Sequence, residues 1–311
     1  MKMNSYKKID SKATMIITLI CFVWGVQQVL LKMVSSDMSP VLQISLRSGI
    51  AALLLIIVMF WRKDKLISKE TWKPGVVAGL LFALEFFLVG EGLRYTTVSH
   101  MVIFLYSAPI FVALILHFKI VSERLNRLQW IGIGSAFSGI ALSFLWKSEV
   151  ADAKVINDML WGDVLAVLAA LSWAVTTVLV RTSNLSNAPA TQTLLYQLMI
   201  GFIVILIAAI MTNQTHFTLT TSTVSNLIFQ GVIVSFGSLL LWFWLLRNYA
   251  TSELGVFTFM TPMFGICLGV LVLNEPLELS FIFGAILVIF GIFLVNNHQL
   301  IQKKLAIILK N

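Results

Sequence analysis

Long apolar runs, broken by short polar punctuation, dominate the chain. Ten of them stand out, at 13–34, 41–61, 74–94, 99–119, 128–146, 160–181, 190–211, 225–247, 254–273 and 277–296. About 20 apolar residues in helical form span the hydrocarbon core of a bilayer. Transmembrane strands would alternate apolar and polar residues over about ten positions; these runs are longer and continuous. The pattern therefore predicts an all-α membrane protein of ten transmembrane helices. The connections are short: Thr96 to Val98 joins the third and fourth spans, and Asn274 to Pro276 the ninth and tenth. No loop is long enough for a soluble domain, so any function must lie within the helix bundle.

Composition agrees. Of 311 residues, 59% are hydrophobic and 12% charged, with a mean hydropathy of +0.93; soluble domains average about 25% charged residues. The net charge of +8 would suggest nucleic acid on a soluble protein. Here the basic residues sit in short loops between apolar runs, so no nucleic-acid partner is expected; the bilayer itself is the partner. Cys21 and Cys267 both lie inside apolar runs and read as small hydrophobes rather than a disulfide. Lys2, Lys7, Lys8 and Lys12 precede the uncharged run Ala13 to Leu31. That run is longer than a signal-peptide core and lacks a small-residue cleavage site, so it reads as a retained first helix.

Orientation follows from Lys and Arg placement. With the N-terminus inside, the inner segments carry seventeen basic residues, five of them in the 62–73 loop (Arg62, Lys63, Lys65, Lys69, Lys73). The outer ends carry four: Lys32, Arg94, Lys147 and Lys154. Both termini are expected in the cytoplasm, in a cell inner (plasma) membrane. The tail from Leu300 alternates apolar residues with Lys303, Lys304 and Lys310; it reads as either an amphipathic surface helix or a frayed end.

The chain also repeats itself. YTTVSHMVIFLYSAPIF parallels NYATSELGVFTFMTPMF, with Arg94, Ser99 and Pro109 matching Arg247, Ser252 and Pro262. Glu123 and Leu125 match Glu275 and Leu277; then Gly132 and Gly139 match Gly284 and Gly291. Trp24 and Lys32 find counterparts in Trp173 and Arg181. Two halves follow, 1–147 and 148–311, of five spans each. Five is odd, so the second half must enter the membrane from the opposite side. The charges agree, since the 212–224 loop, counterpart of 62–73, holds no Lys or Arg. Inverted repeats of this kind are a common plan of secondary transporters, with the substrate site near the midplane. Duplication without transport is the alternative.

These doubled motifs resemble the EamA family of the drug/metabolite transporter superfamily. The resemblance rests on Trp24-Gly25, Arg47 followed by small and aliphatic residues, Pro109 and Pro262 in their S-A-P and T-P settings, Ser-Glu-Arg-Leu at 122–125 with its echo Asn-Glu-Pro-Leu at 274–277, and the glycines beyond. It covers nearly the whole chain. It implies a ten-helix inverted-repeat carrier, usually an exporter of amino acids, nucleotide-sugar-like or other metabolites, or drugs. Where the first half has Arg47 and Arg124, the second has Gln197 and Pro276, so the halves are not chemically equivalent.

Several residues could carry the chemistry. An ionisable group inside the hydrocarbon is a functional candidate by default. Glu85 lies mid-membrane, where a carboxylate could bind a substrate ammonium or take up a proton; a structural ion pair is the alternative. Glu91, Arg94 and Arg47 lie toward the outer end and could form a gate or a permanent pair. Lys32 is close enough to the interface to snorkel. Trp24 and Trp173 hold equivalent positions too deep for an interfacial belt, and with Tyr106 and Trp242 they are expected to wall a cavity. Gln27, Gln28, Thr176 and Thr177 follow one turn on and could supply neutral hydrogen bonds or simply join helices. Phe243, Trp244, Phe257 and Phe259 complete the aromatic set of the eighth and ninth spans. Pro109 and Pro262 interrupt helices as hinges or static kinks. Gly75/Gly79 and Gly265/Gly269 read as close helix contacts.

Other classes fit less well. His100, His117, His216 and His298 show no metal-ligand spacing, and neither a metal nor a cofactor is expected. An integral membrane enzyme acting on a lipid is the alternative to a carrier. It would want a serine beside a histidine, and Ser135 has none well inside a span; Asn157, Asp158 and Asp163 read as an isolated outer-loop cluster. No Walker sequence is present. A duplicated chain can form its pathway alone, so a monomer or loose homodimer is expected.

Overall fold

The computed structural model describes residues 10–120, 124–145, 153–249, 254, 257–258 and 260–308. In chain order the helices are α1 Ser11–Met33, α2 Pro40–Arg62, α3 Trp72–Gly92, α4 Val98–Leu105, α5 Ala108–Lys119, α6 Arg127–Leu145, α7 Ala153–Thr182, α8 Ala190–Met211, α9 Thr221–Ile228, α10 Leu239–Asn248, α11 Met260–Leu273 and α12 Leu279–Ile308. Between α9 and α10 the chain stays helical but winds as a π-helix over Phe229–Ser238. An isolated β-bridge joins Met38 and Phe217. Seven helical runs are long and apolar enough to cross a membrane, counting α4–α5 and α9–α10 each as one run; Met260–Leu273 and Leu279–Val295 are shorter apolar helices. An all-α membrane protein is the outcome.

Local chemistry sets the helix ends. Asp10 caps α1 by accepting from the Ala13 N–H, and Ser39 caps α2 ahead of Pro40 in the first turn. Thr220 and Thr223 form a reciprocal capping box at α9. Lys63 closes α2 in the left-handed conformation (φ 55°). The fourth span is split at Tyr106–Ser107, and Pro109 falls in the first turn of α5. There its missing N–H costs nothing, while its ring prevents α4 and α5 from fusing into one regular helix.

Packing interleaves the two halves. α2 lies on α8, α3 on both α7 and α8, α1 on α11, and α4 and α5 on α7. The most extensive contact is α6 with α12. A Cβ on Gly132 would meet the Gly291 carbonyl oxygen at 2.7 Å, and one on Gly284 would meet the Gly139 oxygen at 2.7 Å. Each helix thus approaches the other's backbone through glycine. Gly75 and Gly79 likewise admit Tyr196 and Ile200 of α8. The main core runs between these helices, with Phe104, Met101, Phe281 and Val288 buried in it. Leu19, Phe60, Trp61, Ile207 and Leu271 point outward, as lipid-facing positions should.

Two expectations change, and one left open falls to the helical alternative. Asp163 is not in an outer loop: α7 begins earlier than residue 160 and holds it fully buried. Lys32 does not snorkel; its Nζ donates to the Leu93 and Thr96 carbonyls, 2.9 Å in the second case. The tail from Leu300 to Ile308 continues α12 as helix. Glu123, Ser252 and Phe259 lie outside the described residues.

Candidate functional site

A cavity of about 330 Å³ lies within the bundle, at the small end of the roughly 300–1,000 Å³ of small-molecule sites. Glu85, Trp24, Gln27, Trp173, Thr177, Tyr106 and Trp242 all line it, as does Arg47. They arrive from α1, α2, α3, α7, α10 and the α4–α5 break. The break presents Tyr106 edge-on to Trp173, with ring centroids 5.4 Å apart. Trp24 meets Trp242 edge-on at 5.7 Å and donates from Nε1 to Ser238 Oγ at 2.8 Å. Phe82 and Phe86 complete the aromatic part of the wall.

Two groups of opposite charge type face this space without a direct ion-pair contact between them. Arg47 is 3% exposed and Glu85 6%, and no contact within ion-pair distance joins the two. Arg47 Nη1 donates instead to two neutral amide oxygens, Gln27 Oε1 and Gln230 Oε1, each at 2.9 Å. Its guanidinium lies 4.8 Å from the Phe86 ring centre, a cation–π geometry. Its Nε is buried with no hydrogen-bond partner among the described residues. A carboxyl group, a guanidinium and aromatic rings in one cavity suit a small solute carrying both an ammonium and an anionic group. Thr176, Thr177, Thr193, Gln197 and Ser235 add neutral polar positions. The hydroxyls of Thr176 and Thr177 bond back to Ser172 O and Trp173 O, which leaves their oxygens as acceptors.

The other expected residues lie elsewhere. Arg94 pairs with Glu91 at 2.6 Å, and Glu91 also accepts from Gln214 Nε2 at 2.7 Å. Arg47 is not brought to them. Pro109 and Pro262 lie near the starts of α5 and α11, away from the lining. Cys21 is buried and Cys267 exposed, both free.

The bundle also holds polar residues with little or no sequence signal. Gln230, buried in the π-helical stretch, holds Arg47 and donates to the Gln27 carbonyl at 2.9 Å. Glu275, the echo of the Glu123 motif, accepts from the N–H groups of Val98 and Ser99 and from Ser99 Oγ at 2.6–3.0 Å. It caps α4 from a distant loop, where a carboxylate favours the helix N-terminus. Asp163 accepts from Thr96 Oγ1 at 2.5 Å and lies 2.9 Å from His100 Nδ1, with His100 stacked on Phe281 at 4.2 Å. No group of three or more metal-ligating side chains occurs among the described residues.

Comparison with known proteins decides the family. The model of the EamA-like transporter family matches twice, over residues 11–145 and 160–297. The chain belongs to the EamA-like transporter family. Its relatives include two uncharacterized transporters of Bacillus subtilis. YoaV is 26% identical over 92% of this chain and 96% of its own length, and YvbV 28% identical over 96% and 95%. A WAT1-related chloroplastic protein of Arabidopsis thaliana is 26% identical over 88% of this chain and 67% of its own length. A solved structure described only as a crystal structure of a protein shares the fold, with a TM-score of 0.61 at 16% identity over 92% of this chain and 97% of that one. EamA-type membership makes the chain a membrane transporter. It gives no support to the lipid-enzyme alternative.

Proposed function

We propose that this EamA-type protein is a secondary carrier that exports a small metabolite, of amino-acid class, across the cell inner membrane by alternating access. Ten spans form two inverted five-helix repeats, residues 1–147 and 148–311, with both termini cytoplasmic. The observation that carries the reading is the cavity, where Glu85 and Arg47 line one space walled by Trp24, Tyr106, Trp173 and Trp242. Glu85 takes the solute ammonium, Arg47 its anionic group, and the rings its side chain. When the cavity is empty Glu85 takes a proton, which couples transport to the proton gradient. A pathway wholly inside one chain supports a monomer or loose homodimer.

The inverted arrangement draws on the glycines. Gly132 and Gly284 are repeat counterparts, as are Gly139 and Gly291, yet Gly132 meets Gly291 and Gly139 meets Gly284. The crossing of partners requires the two counterpart helices to run antiparallel, as an in-plane two-fold axis demands.

The test is uptake into liposomes by the reconstituted protein, using labelled amino acids, nucleosides and cationic dyes. Saturable uptake of an amino acid, reduced at least tenfold by Glu85→Gln, is the expected result. Uptake of dyes alone, or uptake indifferent to Glu85→Gln, would remove the zwitterion site. Normal rate and unchanged pH dependence in that variant would exclude proton coupling through Glu85.

A further inference from the structure

Above the cavity, α2 and the α9–π segment are joined by two matched rungs. Gln43 and Arg47 are four residues apart on α2; Asn226 and Gln230 are four residues apart on the facing helix. That spacing puts each pair on one helix face. Asn226 Nδ2 donates to Gln43 Oε1 at 2.7 Å, and Arg47 Nη1 to Gln230 Oε1 at 2.9 Å. All four side chains are buried. Beyond the upper rung the connections themselves are latched: the Thr218 N–H donates to Asp37 O at 2.8 Å, and Ser39 Oγ to Gln214 O at 2.7 Å. The ladder thus spans first half to second half, from the cavity to the α1–α2 and α8–α9 connections.

We propose that Gln43, Arg47, Asn226 and Gln230 are the outer gate, the contacts that part when the cavity opens outward; this rests on the carrier reading. Three observations favour a parting contact over a permanent joint. Of five buried polar atoms lacking a partner among the described residues, three belong to this region: Arg47 Nε, Asn226 Oδ1 and Gln214 Oε1. A buried polar atom without a partner disfavours the closed form, and water entering on opening would satisfy all three. Gln230 is the second residue of the π-helical stretch. Such segments gather at functional sites, and rewinding to α-helix would turn Gln230 off the rung. Finally, Arg47 belongs to both rung and cavity. An anionic group on the solute is a stronger partner for a guanidinium than two neutral amides, so loading the cavity loosens the lower rung.

The experiment reads access rather than transport. In a background of Cys21→Ala and Cys267→Ala, Ser235→Cys places a reporter on the cavity wall. A membrane-impermeant maleimide is applied to the outer face of right-side-out vesicles. Replacing the upper rung by Gln43→Leu with Asn226→Leu should label the reporter at least tenfold faster, and Gln230→Leu alone should give the same direction. Thr71→Val, which removes a hydroxyl bonded to Gln192 of α8 at the opposite end of the bundle, should leave the outside rate unchanged. Unaltered labelling in rung variants whose melting shows them folded would overturn the gate, as would equal acceleration by Thr71→Val or acceleration only from the inner face. Liposome uptake is scored separately. Faster labelling with no solute moved would keep the gate and overturn the carrier reading.

Discussion

At the scale of single residues, the bundle separates charges that serve the cavity from charges that serve the frame. Asp163 belongs to the frame. Its two oxygens engage Thr96 and His100, and it has no exposure to solvent. Asp163→Ala would leave a buried hydroxyl and a buried imidazole nitrogen unpaired, at about 1–3 kcal/mol each. Thermal unfolding in detergent should therefore fall by several degrees; an unchanged midpoint would show the pair to be idle. Glu275→Ala should likewise destabilise by about 1–2 kcal/mol through the lost cap of α4. Glu275→Gln, which keeps one acceptor oxygen, should lose less, and equal losses would mean that packing rather than capping holds the site. Much of the cavity was legible in the sequence, because an acid mid-span and duplicated tryptophans contradict a lipid-facing role. Gln43, Asn226 and Gln230 were not legible as a set. Neutral amides in apolar runs carry little contrast, and their meaning lies in which helix faces which. Asp163 was misplaced because Lys154 and Asp158 nearby make the 150s read as loop, although their helix continues through them.

Helices show the same division between pattern and pairing. Hydropathy alone sets out the apolar runs, since the solvent for each is hydrocarbon and a span must be long. It does not show the π-helical winding of Phe229–Ser238, which changes the hydrogen-bond register without changing which residues are apolar. Nor does it show that the fourth span breaks at Tyr106–Ser107, before the proline that signals the break. The glycine contact of α6 with α12 gives a clean test within one helix. Gly132→Ala places a methyl against the Gly291 carbonyl and Leu294, so the helices must separate and stability should fall by about 1–3 kcal/mol. Gly134→Ala, two residues away, meets nothing within 4 Å and should be neutral, or stabilising by up to about 1 kcal/mol through helix propensity. Parallel melting curves decide it. If both variants melt alike, the close approach of the two helices is not what the glycine permits.

The whole molecule turns on whether its halves are inverted. Each half matches the same family model, and the counterpart helices α6 and α12 meet with their glycines crossed. The proposed duplication with a flipped second copy accounts for both facts, and flipping constrains charge. The 62–73 loop carries five basic residues, and the equivalent 212–224 loop none. Positive charge resists translocation, so the proposed topology keeps the first loop in the cytoplasm and lets the second cross. Reporter domains fused after Ile67 and after Asn213 should therefore lie on opposite faces: a cytoplasm-active fluorescent protein glows only at the first, and a periplasm-active phosphatase works only at the second. A fusion at Asn311 should behave like the first. The same face at Ile67 and Asn213 would mean parallel repeats, and the outer position of the Gln43–Asn226 rung would fall with it. Removing the charges sharpens the argument. With Arg62, Lys63, Lys65, Lys69 and Lys73 changed to Gln and five Lys placed in the 212–224 loop, the bias falls from seventeen against four to twelve against nine, and a mixed orientation should result. The inverted fraction would present the fold with its pathway reversed, because its core contacts do not depend on which side is the cytoplasm.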